Sequence, residues 1–296
     1  MLSYLQDAYD LHVHTGPDVN PRKLDDFEMC ERYMKAGFKG YCIKSHYFCT
    51  AERARLMKKL YPSFNPIGAI TLNYAVGAMN PSAVDISGRD GAKLVWFPTF
   101  DSKNEIDYTF GNSCTYDVLP IWVRLMQERK NAGEEIEGIY LLKNGELTKK
   151  TKEVIDIIAK RDMVLCTGHV SKPEITAIVK EARKHNLKRV VVTHATWSSI
   201  ALTKEEQREL AEMGAIIEES AGAIKAAYGI TWEGMYEVIR YVGPEHCIIS
   251  SDCGNVNKPY PDVAMEEMAE RLCQNGFTEE EVRRMAVINT TMLVDE

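Results

Sequence analysis

The chain has 296 residues, 45% hydrophobic and 27% charged, with a net charge of −7; it can bury a large core, and it lacks the run of about 18 apolar residues that a membrane span needs. Its 36 basic residues are interleaved with 43 acidic ones, as in KKTKEVIDIIAKRD, which argues against a nucleic-acid partner and for a small-molecule substrate. Eight scattered cysteines without a Cys-x-x-Cys pair, and a start (MLSYLQDAYD) with no basic-then-apolar signal, lead to the expectation of a cytoplasmic protein with reduced thiols.

Along the chain, short β-branched or apolar runs alternate with amphipathic helical stretches. The predicted strands are AYDLHVHT (8–15), GYCIKSH (40–46), FNPIGAITLN (64–73), KLVWFPTF (93–100), MVLCTGHV (163–170), RVVVTHAT (189–196), AIIEESA (215–221) and CIISSDC (247–253). Helix starts are marked by Asn80 before Pro81 and by the capping-box pairs Ser171/Glu174, Thr203/Glu206 and Thr278/Glu281; Gly37 and Gly243 mark stops. Eight such units predict an α/β fold, a (β/α)8 TIM-type barrel forming a single domain over 1–296. An open doubly wound sheet is the competitor, but no glycine-rich phosphate turn follows the first strand.

One interval breaks the rhythm. Residues 101–147, after the fourth strand, carry a helical piece, VLPIWVRLMQERKNAG, and a hairpin candidate, GIYLLKNGEL. An insertion there lies near the barrel mouth, where it could serve as a lid or substrate wall. A packing insertion, or a contact between copies in a homo-oligomer, is the equal alternative.

Five of the seven histidines sit at one edge of the predicted sheet: His12 and His14 end the first strand, His46 the second, His169 the fifth and His194 the sixth. Asp252 ends the eighth. A single histidine at a strand end is more often a satisfied polar residue than a ligand, but in a closed barrel these ends converge on one mouth. Imidazoles and a carboxylate with no thiolate cluster suit Zn²⁺, with Mn²⁺, Fe²⁺ or Ni²⁺ as other occupants.

The series His12-x-His14, His169, His194 and Asp252, in that order across the chain, resembles the amidohydrolase superfamily. The resemblance implies a barrel holding one or two divalent metal ions that hydrolyses an amide, ester or related C–N or C–O bond with a metal-activated water. Family members commonly bridge two ions with a carboxylated lysine or a glutamate on the fourth strand, and KLVWFPTF ends in neither. Lys44, on the same predicted face as His46, is the substitute candidate: as a carbamate it would be an anionic bridge, whereas as an ammonium it would pair with Asp252 or another acid. The metal-ligand candidates are His12, His14, Lys44, His46, His169, His194 and Asp252; the resemblance implies His12, His14 and Asp252 around one ion and His169 and His194 around the other, and Asp252, Lys44 and His194 are the catalytic candidates.

DLHVHT and GYCIKSH also resemble the opening of the PHP phosphoesterases, although Ser45 and Asn73 stand where acids are expected. A one-ion decarboxylase of the amidohydrolase superfamily, with His46 or His194 moving protons, is a further alternative. A Schiff-base aldolase using Lys44 would leave five histidines unexplained, and a non-catalytic binding barrel is compatible with the pattern. Of the acids ending the seventh strand, Glu218 and Glu219, one is expected to face the mouth. Asn73, Thr196, Asn255, Trp197 and the pair Tyr47-Phe48 are substrate-contact candidates whose simpler roles are capping, turns and packing.

Overall fold

The computed structural model describes residues 2–111, 121–224 and 230–295. Its strands are β1 (Tyr9–Val13), β2 (Gly40–Ile43), β3 (Asn65–Thr71), β4 (Ala92–Trp96), a separate hairpin of β5 (Leu142–Lys143) and β6 (Glu146–Leu147), then β7 (Val164–Cys166), β8 (Val190–Val192), β9 (Ile216–Ser220) and β10 (Cys247–Ser250). The eight outside the hairpin pair in parallel in chain order. Between the two ends of that sheet, Val13 bridges Cys253, the His14 N–H donates to Cys253 O at 2.9 Å and the Asp252 N–H to His12 O at 3.0 Å. The sheet is thereby joined into a barrel, as the alternation of strands and helices predicts.

The helices are α1 (Asp26–Lys35), α2 (Ala51–Leu60), α3 (Pro81–Arg89), α4 (Lys103–Phe110), α5 (Ile121–Asn131), α6 (Lys149–Lys160), α7 (Lys172–Lys184), α8 (Lys204–Glu212), α9 (Trp232–Val242), α10 (Pro261–Gln274), α11 (Glu279–Arg283) and α12 (Asn289–Val294). Thr203 and Thr278 each form both bonds of a capping box, and Asn80 caps α3 ahead of Pro81. At α7 the Glu174 carboxylate accepts the Ser171 N–H at 2.8 Å. A further capping box, Asp25 with Glu28, starts α1. None of the helices is long and apolar enough to cross a membrane among the described residues.

Within the insertion, β5 and β6 meet across Asn144 and Gly145, both at positive φ (52° and 81°), the conformation a tight two-residue hairpin requires. The predicted helical piece 118–133 is helical over Ile121–Asn131, and its first three residues lie outside the described residues.

Side chains alternate around the barrel. Tyr9, Leu11, Cys42, Ile67, Ala69, Leu94, Trp96, Val164, Cys166, Val191 and Ile248 fill the interior, joined by Leu293 and Val294 of α12. Residues of the opposite phase, such as Tyr41, Ile43, Val95, Leu165 and Ile249, pack under the helices. The first strand departs from this. Leu11 is interior but Val13 packs outside, and the register of β1 against β2 shifts between Asp10 and Val13. Simple alternation would put Asp10, His12 and His14 on one face. Instead Asp10 turns outward to accept the Tyr33 hydroxyl at 2.7 Å, while His12 meets the interior residues Lys44 and Trp96. Such irregularities re-aim side chains beside functional sites.

The closure leaves no room at Gly254. A Cβ there would stand 1.8 Å from the His14 carbonyl oxygen, at a φ of +129°. Gly254→Ala is expected to lower stability by about 1–3 kcal/mol, measured by urea denaturation with the slope unchanged; wild-type stability in that variant would contradict the tight β1–β10 junction.

Candidate metal centre

The rings of His12, His14, His46 and His169 arrive at the mouth held by a neighbour through Nδ1. The His12 Nδ1–H donates to Glu218 Oε1 at 2.8 Å, since a carboxylate can only accept, and this leaves Nε2 facing the interior. The His14 Nδ1–H donates to the Lys44 carbonyl at 3.0 Å, again freeing Nε2. Those two Nε2 atoms lie 3.2 Å and 3.4 Å from Asp252 Oδ1. One donor atom from each of His12, His14 and Asp252 thus falls within 4.8 Å of the others, a spacing that fits one metal ion. A carboxylate or carbonyl fixing the far nitrogen of a ligating histidine is the usual support of such centres.

The other candidates surround this set. His194 stacks on His12 and is tilted against His169, with ring centroids 5.6 Å and 4.9 Å apart. His46 stacks on His14 at 4.9 Å. Lys44 is buried, its Nζ 2.8 Å from His12 Nε2 and 4.9 Å from the Trp96 ring centre. All seven predicted ligand residues therefore gather at one end of the barrel. His169, His194 and Lys44 do not form a second three-donor set of His, Cys, Asp or Glu among the described residues. His194 Nδ1, however, is buried with no hydrogen-bond partner, a state that costs free energy unless a ligand fills it. The donor set fits a divalent ion on chemical grounds.

Backbone strain falls on the same residues. His194 and Asp252 both take positive φ, 24° and 44°, which non-glycine residues avoid and which concentrates at functional sites.

Burial is the main electrostatic influence. It holds His14, His46 and His194 well below the ordinary imidazole range, which keeps their ring nitrogens available as ligands. It also lowers Lys44 to about 8 against the pull of Asp252 and Glu218. Burial opposes ionisation of Asp252 too, but Lys258, His12 and His14 override it and keep the carboxyl well below its usual range. Glu218 is lowered to about 2 in the same way, burial being outweighed by His12, His194 and the Ser250 hydroxyl, which donates at 2.6 Å. Glu219 points elsewhere: its carboxylate accepts the Thr196 hydroxyl at 3.0 Å, and burial pushes it up to about 8.

Two residues escaped the sequence reading. Glu105, buried at the start of α4, accepts the His169 Nδ1–H at 3.1 Å, so an acid does reach the mouth after the fourth strand, from the insertion. Its signal was Ser102, the cap that starts α4 directly beyond strand four. Lys258 pairs with Asp252 Oδ2 at 3.4 Å and donates to Asp252 O at 2.7 Å, the ammonium role that the alternative reading gave to Lys44. Several candidates have plain structural roles. Ser45 Oγ accepts the N–H groups of Tyr47 and Phe48, and Asn73 joins His46 O to Thr99. Neither is free to act as the acid a PHP site would need.

The match to the model of DUF6282, a family of unknown function, spans residues 7–218. The chain belongs to that family. The matched span holds His12, His14, Lys44, His46, His169, His194 and Glu218, while Asp252 and Lys258 follow it. No curated protein matches the chain. Among solved structures it is similar to an amidohydrolase from Pseudomonas aeruginosa (13% identity, TM-score 0.63, covering 98% of this chain and 96% of that one). It is similar also to the probable dipeptidase PvdM from Pseudomonas aeruginosa (11%, 0.65, 97% and 94%) and to an organophosphorus hydrolase mutant from Deinococcus radiodurans (12%, 0.59, 99% and 95%). At those identities the likeness establishes the barrel.

Replacing Glu218 by Gln removes the charge that anchors the His12 Nδ1–H. Metal affinity is expected to fall by about 10–100-fold, read by competition with a chromophoric chelator; unchanged affinity would show that His12 needs no such support.

Proposed function

We propose that the protein is a metal-dependent hydrolase of the amidohydrolase type, cleaving an amide, ester or related C–N or C–O bond of a small molecule. One observation carries the reading: two imidazoles with clamped Nδ1 atoms turn their Nε2 atoms toward one carboxylate at the C-terminal mouth of a parallel barrel. Active sites of this fold lie at that end. The names of the neighbouring barrels support the class, and the mouth encloses a cavity of about 580 Å³, room for a small substrate.

In this reading His12, His14 and Asp252 would hold a divalent ion, with zinc the leading choice from the donor types. His169 and His194 would hold a second, and Lys44, if carboxylated, would be a further anionic ligand. A bound divalent ion supplies Lewis acidity, polarising the scissile group and lowering the pKa of nearby water. The residues supply the rest. Asp252, kept ionised and steadied by Lys258, accepts a proton from the attacking water and returns it to the leaving group. Glu218 and Glu105 hold the His12 and His169 rings in single tautomers. Trp197, packed against His194 with ring centroids 5.6 Å apart, helps to wall the site from bulk water. A one-ion decarboxylase is the second reading, favoured by the single three-donor set among the described residues.

Elemental analysis separates these: two ions per chain, with Lys44→Ala losing one, supports the bridged centre, and one ion unaffected by Lys44→Ala supports the alternative. Under the hydrolase reading, a screen of esters, lactones and amides should give turnover that chelator abolishes and zinc or manganese restores. Asp252→Asn should lower that turnover by about 10²–10⁴-fold. Chelator-insensitive hydrolysis would overturn the proposal.

A further inference from the structure

The mouth carries more positive charge than a metal centre needs. Arg22, from the loop after β1, and Arg124, from α5 of the insertion, line the same cavity as the histidines. A fixed cation next to a divalent ion is repelled by it, most strongly away from bulk water. Such an arrangement is stabilised when a ligand brings negative charge between the two.

Arg22 is built into place. Its side chain is 3% exposed, and it donates from Nε and Nη2 to Asp18 Oδ2 at 2.9 Å and 2.7 Å. Nη1 donates to Asn255 Oδ1, in the loop after β10 that also carries Lys258. Three of the five guanidinium N–H groups are used, which leaves one on each of Nη1 and Nη2 without an acceptor among the described residues. Arg22 lines the cavity together with His14, His46 and Asp252. The Asp18 side chain is fully covered, so the pair is a fixed fitting and not a surface ion pair. Lys258 differs: its ammonium is taken up by Asp252 and the Gly222 carbonyl. Arg124 is exposed and has no ion-pair partner among the described residues.

The same cavity is lined by an apolar, aromatic pair. Trp122 of α5 stacks on Phe100, ring centroids 5.7 Å apart and planes 13° from parallel, and both line the cavity.

We propose that the substrate carries an oxyanion, a carboxylate or phosphate, anchored by the two open N–H groups of Arg22 and covered by Arg124, with a planar or apolar body against Trp122 and Phe100. This rests on the hydrolase reading for the word substrate and deepens it to a class: anionic small molecules whose scissile bond lies within reach of the His12–His14–Asp252 set. The planar wall favours a carboxylate attached to an unsaturated or aromatic group.

The test is calorimetric titration of the full-length, zinc-loaded protein with benzoate, its neutral analogue benzamide, and inorganic phosphate. The variants are Arg124→Ala, Arg22→Lys, and the double variant Asp18→Asn/Arg22→Met, which leaves no buried charge unpaired. Benzoate or phosphate should bind the wild type at millimolar concentrations or better, and benzamide more weakly. Losing the Arg22 fork should weaken anion binding about tenfold or more in both Arg22 variants and leave benzamide unchanged. Arg124→Ala, on an exposed helix face, should weaken it about threefold. Should the double variant fail to fold by circular dichroism, Arg22→Lys and Arg124→Ala decide. Phosphate binding that depends on Arg22, without benzoate binding, supports the anchor and names phosphate as the group.

No binding of either anion, benzoate and benzamide both bound with equal affinity, or anion affinity indifferent to Arg22 would overturn the inference. Anion binding that disappears with the metal and ignores Arg22 would overturn it while leaving the hydrolase reading intact. Arg22-dependent binding in a protein that takes up no metal would do the reverse.

Discussion

The mouth of this barrel depends on a slip of register in its first strand. Between Asp10 and Val13 the pairing with β2 shifts, so that Leu11 fills the interior, Val13 packs outside, and His12 and His14 turn inward. Two hydrogen bonds hold the slip in place, the N–H groups of His12 and Ser251 donating to Asp10 Oδ1, and Gly254 lets the chain after β10 pass against the His14 carbonyl. Without it, strict alternation from the interior residues Tyr9 and Leu11 would send His12 and His14 outward with Asp10, which accepts the Tyr33 hydroxyl.

Once the imidazoles point inward, their second nitrogens must be satisfied or the burial is unfavourable. Glu218 does this for His12 and, with its other oxygen, accepts the backbone N–H of His194 at 3.0 Å. One carboxylate thereby ties β9 to the first strand and to the end of β8. Its own burial is offset by the positive character it stabilises and by the Ser250 hydroxyl. The result is a set of ring nitrogens whose direction is decided by neighbours before any ligand arrives, which is what gives a metal site its preorganisation.

Labour is divided between the frame and the insertion. Strand ends carry the donors, because they are the most rigid positions of the fold. The insertion after strand four supplies the Glu105 support for His169, the Trp122 wall and the Arg124 charge. The candidate metal donors are thus placed by the barrel, and part of the cavity lining beside them is placed by a segment of the kind that varies in length and composition.

The sequence by itself determined the number and order of the strands, the helix caps, the hairpin turn at Asn144-Gly145 and the convergence of His12, His14, Lys44, His46, His169, His194 and Asp252 on one rim. These are local or periodic signals: apolar runs of strand length, hydroxyl–carboxylate pairs three residues apart, and a topology that sends every strand end to the same side. What only the tertiary structure decided was pairwise and distant. That Glu218 and not Glu219 serves His12, that Lys258 pairs with Asp252 while Lys44 faces His12, that Glu105 crosses to His169, and that Arg22 is locked between Asp18 and Asn255 all depend on contacts between segments far apart in the chain. Strand periodicity assigns a side chain to a face, and a single displaced residue in β1 is enough to reverse that assignment. A hydrogen bond needs atoms placed to within a few tenths of an ångström, and that placement comes from packing the closed barrel.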